Sequence, residues 1–148
     1  MQPIHETYGL LTQKKKVVIT MHQKPDADAM GSALGLYHFL RQFGHEVNLI
    51  SPTNWARWLN WMEGVDEVYD YELDKADSDM ILDQAEWLFC LDYNHFSRTK
   101  TLAPKLASLQ CTKILVDHHR EPDEASFHYG ISNTGKSSTS EMIYDYIV

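Results

Sequence analysis

His22, Asp26 and Asp28 fall within one short stretch, His22-Gln23-Lys24-Pro25-Asp26-Ala27-Asp28. Two aspartates this close in sequence ionise together at low cost only where a cation removes their repulsion. Further along lie Asp92 and then Asp117-His118-His119. Mixed imidazole and carboxylate donors without a thiolate suit Mn²⁺ or a similar ion better than structural zinc. Two such ions about 3.5–4 Å apart, bridged by one carboxylate, would activate a water and stabilise the attacking and leaving oxygens of phosphoryl transfer.

These residues can act together only if the fold brings them to one place. Lys16-Val17-Val18-Ile19-Thr20-Met21 is an apolar, β-branched run that reads as a strand ending just before His22. Trp87-Leu88-Phe89-Cys90-Leu91-Asp92 and Thr112-Lys113-Ile114-Leu115-Val116-Asp117 read as buried strands, each closing on a carboxylate. Between the first two, Met30 to Phe43 has helical apolar spacing with Gly44 at its stop, and Glu46 to Ser51 follows as a strand. The resulting βαβ unit implies an α/β fold: a doubly wound, mainly parallel sheet with helices on both faces. Strand ends in such a sheet share one rim, where ligands bind. Asp92, on the middle of the three ends, is the natural bridging carboxylate.

The remaining stretches are less regular. Met1 to Thr12 suggests a short leading helix around Ile4, Tyr8 and Leu11. Asn54 could cap a helix carrying Trp55, Trp58, Leu59 and Met62, whose spacing favours core or interface packing over base stacking, with Trp61 off the stripe. Val65 to Tyr69 reads as extended, Ala76 to Ala85 as a helix, and Phe96 to Leu109 as a helix limited or kinked by Pro104. Ser137 to Tyr144 has the hydroxyl-rich start of a capped helix. Lys14-Lys15-Lys16 reads as a solvated element end, and His5, His38, His45, His95 and His128 stand outside the group of potential ligands converging at the rim and receive no role.

Composition narrows the classes. With 148 residues and 43% hydrophobic content, the chain fits one globular domain. A formal net charge of −8 argues against tracking a duplex backbone, although a short nucleic acid remains a feasible substrate. No apolar run approaches the roughly 20 residues that span a bilayer, and the first 16 residues lack a signal-peptide core, which suggests a cytoplasmic protein with no membrane contact. Cys90 and Cys111 lie in or beside strands without Cys-x-x-Cys spacing and read as buried, reduced thiols.

The ordered set His22-x-x-x-Asp26-x-Asp28, the apolar strand ending at Asp92, and Asp117-His118-His119 resembles motifs one to three of the DHH phosphoesterase family. The likeness spans residues 16 to 148 and is greatest with the bacterial nano-RNase and 3′-phosphoadenosine 5′-phosphate (pAp) phosphatase branch. The resemblance implies two Mn²⁺ ions, one held by His22, Asp26 and Asp92, the other by Asp28, Asp92 and His118. It places His119 against the scissile phosphate, Asp117 behind the histidines, and Arg98 on a substrate phosphate. The implied substrates are small phosphorylated nucleotides or short oligoribonucleotides. Phosphoanhydride hydrolysis, as in an exopolyphosphatase or pyrophosphatase, is the alternative, and an inactive nucleotide-binding module of the same fold is a third reading. The family's fourth motif, which supplies a further aspartate, has no match here, Asp145 being unconvincing, and its C-terminal substrate-binding domain is absent. The chain thus reads as the catalytic part of a two-domain enzyme, weakly active alone, whose exposed edge could favour a homodimer.

Overall fold

The computed structural model describes all 148 residues. Seven strands form one sheet: β1 (Gln2–Pro3), β2 (Lys16–Thr20), β3 (Glu46–Ser51), β4 (Val68–Asp70), β5 (Trp87–Leu91), β6 (Thr112–Asp117) and β7 (Tyr129–Ser132). Their order is β1-β7-β6-β5-β2-β3-β4, and every pairing is parallel. The central position of β6, β5 and β2 follows from their sequences, which bury side chains on both faces and so need cover on both. After β2 the chain builds outward through β3 and β4, then returns to place β5 on the other side of β2. The topological switch point, where open α/β sheets generally bind ligands, therefore lies between β2 and β5.

Alternation along each strand divides the core. Val17, Ile19, Phe89, Ile114 and Val116 pack against α1 (Ala27–Arg41) and α4 (Thr139–Ile147). Val18, Leu88, Cys90 and Leu115 face the other way, with Leu82 of α2 (Lys75–Asp83) and Leu106 of α3 (Ala103–Ser108). Helices thus cover both faces. No helix is long and apolar enough to cross a membrane. Both cysteines are free; Cys90 is fully buried and Cys111 half-buried, and burial pushes the Cys90 thiol up to about 12.

Several local expectations need correction. Residues 1 to 12 form the edge strand β1 and a 3-10 segment, Ile4–Leu10, rather than an α-helix. Asn54 caps nothing: Arg57–Trp61 is a 3-10 turn preceded by Ala56. Within it Leu59 is buried, but Trp58 and Trp61 are 64% and 74% exposed, so Trp58 is not a core residue. Val65–Glu67 is a further 3-10 turn ahead of β4. Phe96–Leu102 is 3-10 with Lys100 at φ +50°, while Pro104 stands in the first turn of α3, where a missing N–H costs nothing. β7 had no counterpart among the sequence expectations.

Candidate metal centre

The loop after β2 and the start of α1 carry the first cluster. Helix α1 begins three residues before the expected Met30, so Asp26 is its N-cap, accepting the Ala29 N–H at 2.9 Å, and Asp28 sits in its first turn. Within the loop Lys24 is left-handed (φ +45°), and its N–H donates to Thr53 Oγ1 at 2.7 Å. Asp92, immediately beyond β5, is also left-handed (φ +63°), a conformation aspartate tolerates better than most residues and that turns its carboxylate into the rim.

Asp92 is the centre of the arrangement. It is 2% exposed, and its two oxygens face different histidines: Oδ2 lies 3.3 Å from His22 Nε2 and Oδ1 lies 3.3 Å from His118 Nε2. Two overlapping groups of donors result, His22-Asp26-Asp92 and Asp92-His118-His119, each with its atoms close enough to share one ion.

The donor chemistry fits a cation. His22 Nδ1–H donates to the Gln23 carbonyl at 2.6 Å, which leaves a lone pair on Nε2 when the ring is neutral. That lone pair faces Asp92 Oδ2 at 3.3 Å and Asp26 Oδ1 at 3.8 Å. Acceptors confronting acceptors are stable only around a proton or a metal ion. Burial alone would lower the His22 pKa, but hydrogen bonds to Asp92 and Gln23 and the charges of Asp92 and Asp26 outweigh it and raise the value.

His119 stands apart. Its Nδ1–H donates to Asp117 Oδ1 at 2.6 Å and its backbone N–H donates to Asp117 Oδ2 at 2.9 Å. Nδ1 also lies 3.9 Å from Asp92 Oδ1, but the shorter bond to the fully buried Asp117 commits it, leaving Nε2 as the free atom. The side chain is 41% exposed. His119 thus keeps Nε2 without a partner at a half-exposed position on the rim.

Asp28 has an unforeseen position. Its Oδ1 accepts the Ser140 N–H at 2.8 Å and its Oδ2 the Thr139 N–H at 3.0 Å, both in the first turn of α4. Oδ2 still lies 3.7 Å from His118 Nε2. The structure brings Asp28 to the rim but outside the two donor groups. Burial would raise its pKa, yet the Ser140 and Thr139 amides outweigh this and lower it. Arg98 lies exposed in the Phe96–Leu102 segment, tied to the loop through its carbonyl, which accepts the Gln23 N–H at 2.8 Å; its guanidinium has no partner. Asp145 pairs instead with Lys136 at 2.7 Å.

Two residues went unassigned in the sequence. Thr139 Oγ1 donates to Asp92 Oδ1 at 3.0 Å, and Asn94 Nδ2 donates to the carbonyls of Arg120 and His119 at 2.9 and 3.3 Å. The hydroxyl run 137–140 was the available signal for Thr139; its reach across the sheet was not.

With this geometry in view, a family model for the DHH family, N-terminal domain, matches residues 16–148. The crystal structure of an exopolyphosphatase-related protein from Bacteroides fragilis superposes with a TM-score of 0.93 at 34% identity, covering 97% of this chain and 42% of that one. The chain thus spans about two fifths of that relative. Exonuclease RecJ bound to manganese gives a TM-score of 0.59 at 13% identity, over 99% of this chain and 37% of that one. RecJ from Thermus thermophilus in complex with Mn²⁺ gives 0.57 at 14%, over 97% and 20%. At those identities the likeness is one of fold alone. No curated protein matches the chain.

Proposed function

Since the chain belongs to the DHH family, as its N-terminal domain, we propose that it is the catalytic domain of a Mn²⁺-dependent phosphoesterase acting on small phosphorylated nucleotides such as pAp and on short oligoribonucleotides. The observation that carries this reading is the buried Asp92 carboxylate, which presents one oxygen to His22 and the other to His118. His22, Asp26 and Asp92 would hold one cation; Asp92 and His118, joined by Asp28 on rearrangement of its bonds to α4, would hold a second. When bound, such ions supply Lewis-acid polarisation of a phosphate and a water nucleophile at neutral pH.

The chain's own groups then have distinct tasks. Asp117 fixes the His119 ring through Nδ1–H, so that Nε2, when it carries a proton, would donate it in a hydrogen bond to a phosphate oxygen. Thr139 Oγ1 orients Asp92 by donating to one of its oxygens. The free Arg98 guanidinium suits bidentate contact with a phosphate.

The test is hydrolysis with Mn²⁺ of pAp, a short oligoribonucleotide and inorganic polyphosphate. The expected result is inorganic phosphate from pAp and mononucleotides from the oligomer, both abolished by Asp92→Ala. The 34% identity to an exopolyphosphatase-related protein favours a second reading, phosphoanhydride hydrolysis on the same residues. Turnover of polyphosphate alone would select it.

A further inference from the structure

A cleft of about 490 Å³ opens beside the metal centre, lined by Lys24, Pro25, Asp26, Asn54, Trp55 and Trp58 among others. Asp26 belongs both to this cleft and to the His22-Asp26-Asp92 group. The cleft lies where the sheet order puts it: β3 is the next strand after β2, so the loop that follows β3 continues the rim on which Asp92 and His22 stand. A molecule with one end against His22 and Asp26 extends naturally along this rim.

The lining has an unusual chemistry for an exposed surface. The Trp55 ring is fixed by its Nε1–H, which donates to Asn60 Oδ1 at 2.9 Å, and it packs in part against the core. Trp58 is 64% exposed, which leaves its ring open to a planar ligand. The same lining carries Lys24 and Asn54, whose ammonium and carboxamide have no hydrogen bond or ion pair within the chain. Flat aromatic surface accepts a base face, a carboxamide offers the paired donor and acceptor that read a base edge, and an ammonium neutralises a neighbouring phosphate. A polyphosphate chain has no use for the first two.

We propose that this cleft is a nucleobase subsite, in which the planar ring of a nucleotide stacks on Trp58 while its phosphate lies against the His22-Asp26-Asp92 group. The proposal rests on the phosphoesterase reading and names its substrate class, nucleotides over polyphosphate.

The test compares AMP with ribose 5-phosphate, which share the phosphate and differ in the base, by calorimetric titration of the chain in Mn²⁺. AMP is expected to bind roughly 5- to 100-fold more tightly. Trp58→Ala should bring the ratio near unity while leaving ribose 5-phosphate affinity unchanged, and Trp58→Phe should keep most of the preference. A ratio near unity in the unaltered chain, or one that Trp58→Ala leaves intact, overturns the subsite alone and leaves the phosphate site standing. Equal loss of both ligands in Trp58→Ala assigns Trp58 a structural role and overturns it too. If neither ligand binds in a Mn²⁺-dependent way, the phosphoesterase reading fails and the subsite with it. A Trp58-dependent dimer in sedimentation, with no base preference, identifies a second copy as the occupant instead.

Discussion

The backbone N–H of Ser140 donates to Asp28 Oδ1 at 2.8 Å across 112 residues of sequence. With the Thr139 N–H on Oδ2, one carboxylate from α1 satisfies two of the orphan amides of α4 and faces its positive end. Asp28→Ala is expected to lower the unfolding free energy by about 1–2 kcal/mol. Because the folded pKa is depressed, this stabilisation is present above the unfolded value of about 3.9 and is lost as pH falls through the lower folded value. Denaturant unfolding at pH 7 and at pH 3 checks both statements, and a variant as stable as the parent at pH 7 would refute the capping role.

His22 makes the opposite prediction. Its raised pKa means that the protonated ring stabilises the metal-free fold fully below the unfolded value of 6.5 and ceases to do so as pH rises through the higher folded value. Melting temperature in chelator should therefore fall across that window, and His22→Gln should flatten the decline. Mn²⁺ competes with the proton at Nε2, so excess Mn²⁺ should raise the melting temperature more at pH 8 than at pH 6. Identical profiles for the variant and the parent would remove His22 from the account.

Asp117→Asn tests the orientation of His119. Both Asp117 oxygens accept from His119, so an amide places one donor against another and disfavours the present tautomer. Phosphoester turnover should drop by about 10–100-fold with the fold intact. Unchanged turnover would mean that His119 needs no such support.

Gly130 reports on the pairing of β7 with β6. A Cβ there would stand 2.6 Å from the Leu115 carbonyl oxygen, at the register position where β7 pairs with β6. Gly130→Ala should cost about 2–3 kcal/mol in unfolding free energy, since backbone must shift to admit the methyl group. A loss below about 0.5 kcal/mol would show that β7 can slide freely.

The three central strands were legible because each is an apolar run ending in a polar, chemistry-capable residue: Val17 to His22, Trp87 to Asp92, and Thr112 to Asp117. Parallel pairing then required their ends to meet, as Thr20 beside Cys90 and Leu91 beside Val116 confirm. Trp58 departs from its expected packing because the segment is not α-helical. In the 3-10 turn Arg57–Trp61, residues three apart eclipse, which places Trp58 and Trp61 together on the solvent side. β7 was missed because Tyr129-Gly130-Ile131-Ser132 is short, only partly buried, and interrupted by a glycine that is explained by close approach to Leu115. The Asp28 contact with α4 and the Thr139 contact with Asp92 span 112 and 47 residues, and no local pattern encodes them.

The central claim is that Asp92 joins His22 and His118 around bound cations, and Mn²⁺ titration of the chain against its Asp92→Asn variant tests it most directly. The variant keeps the volume and the Thr139 contact but offers one charge fewer. The account predicts saturable Mn²⁺ binding by the parent and a loss of at least about 100-fold in affinity in the variant, with circular dichroism unchanged. Equal affinity in the two proteins would contradict it.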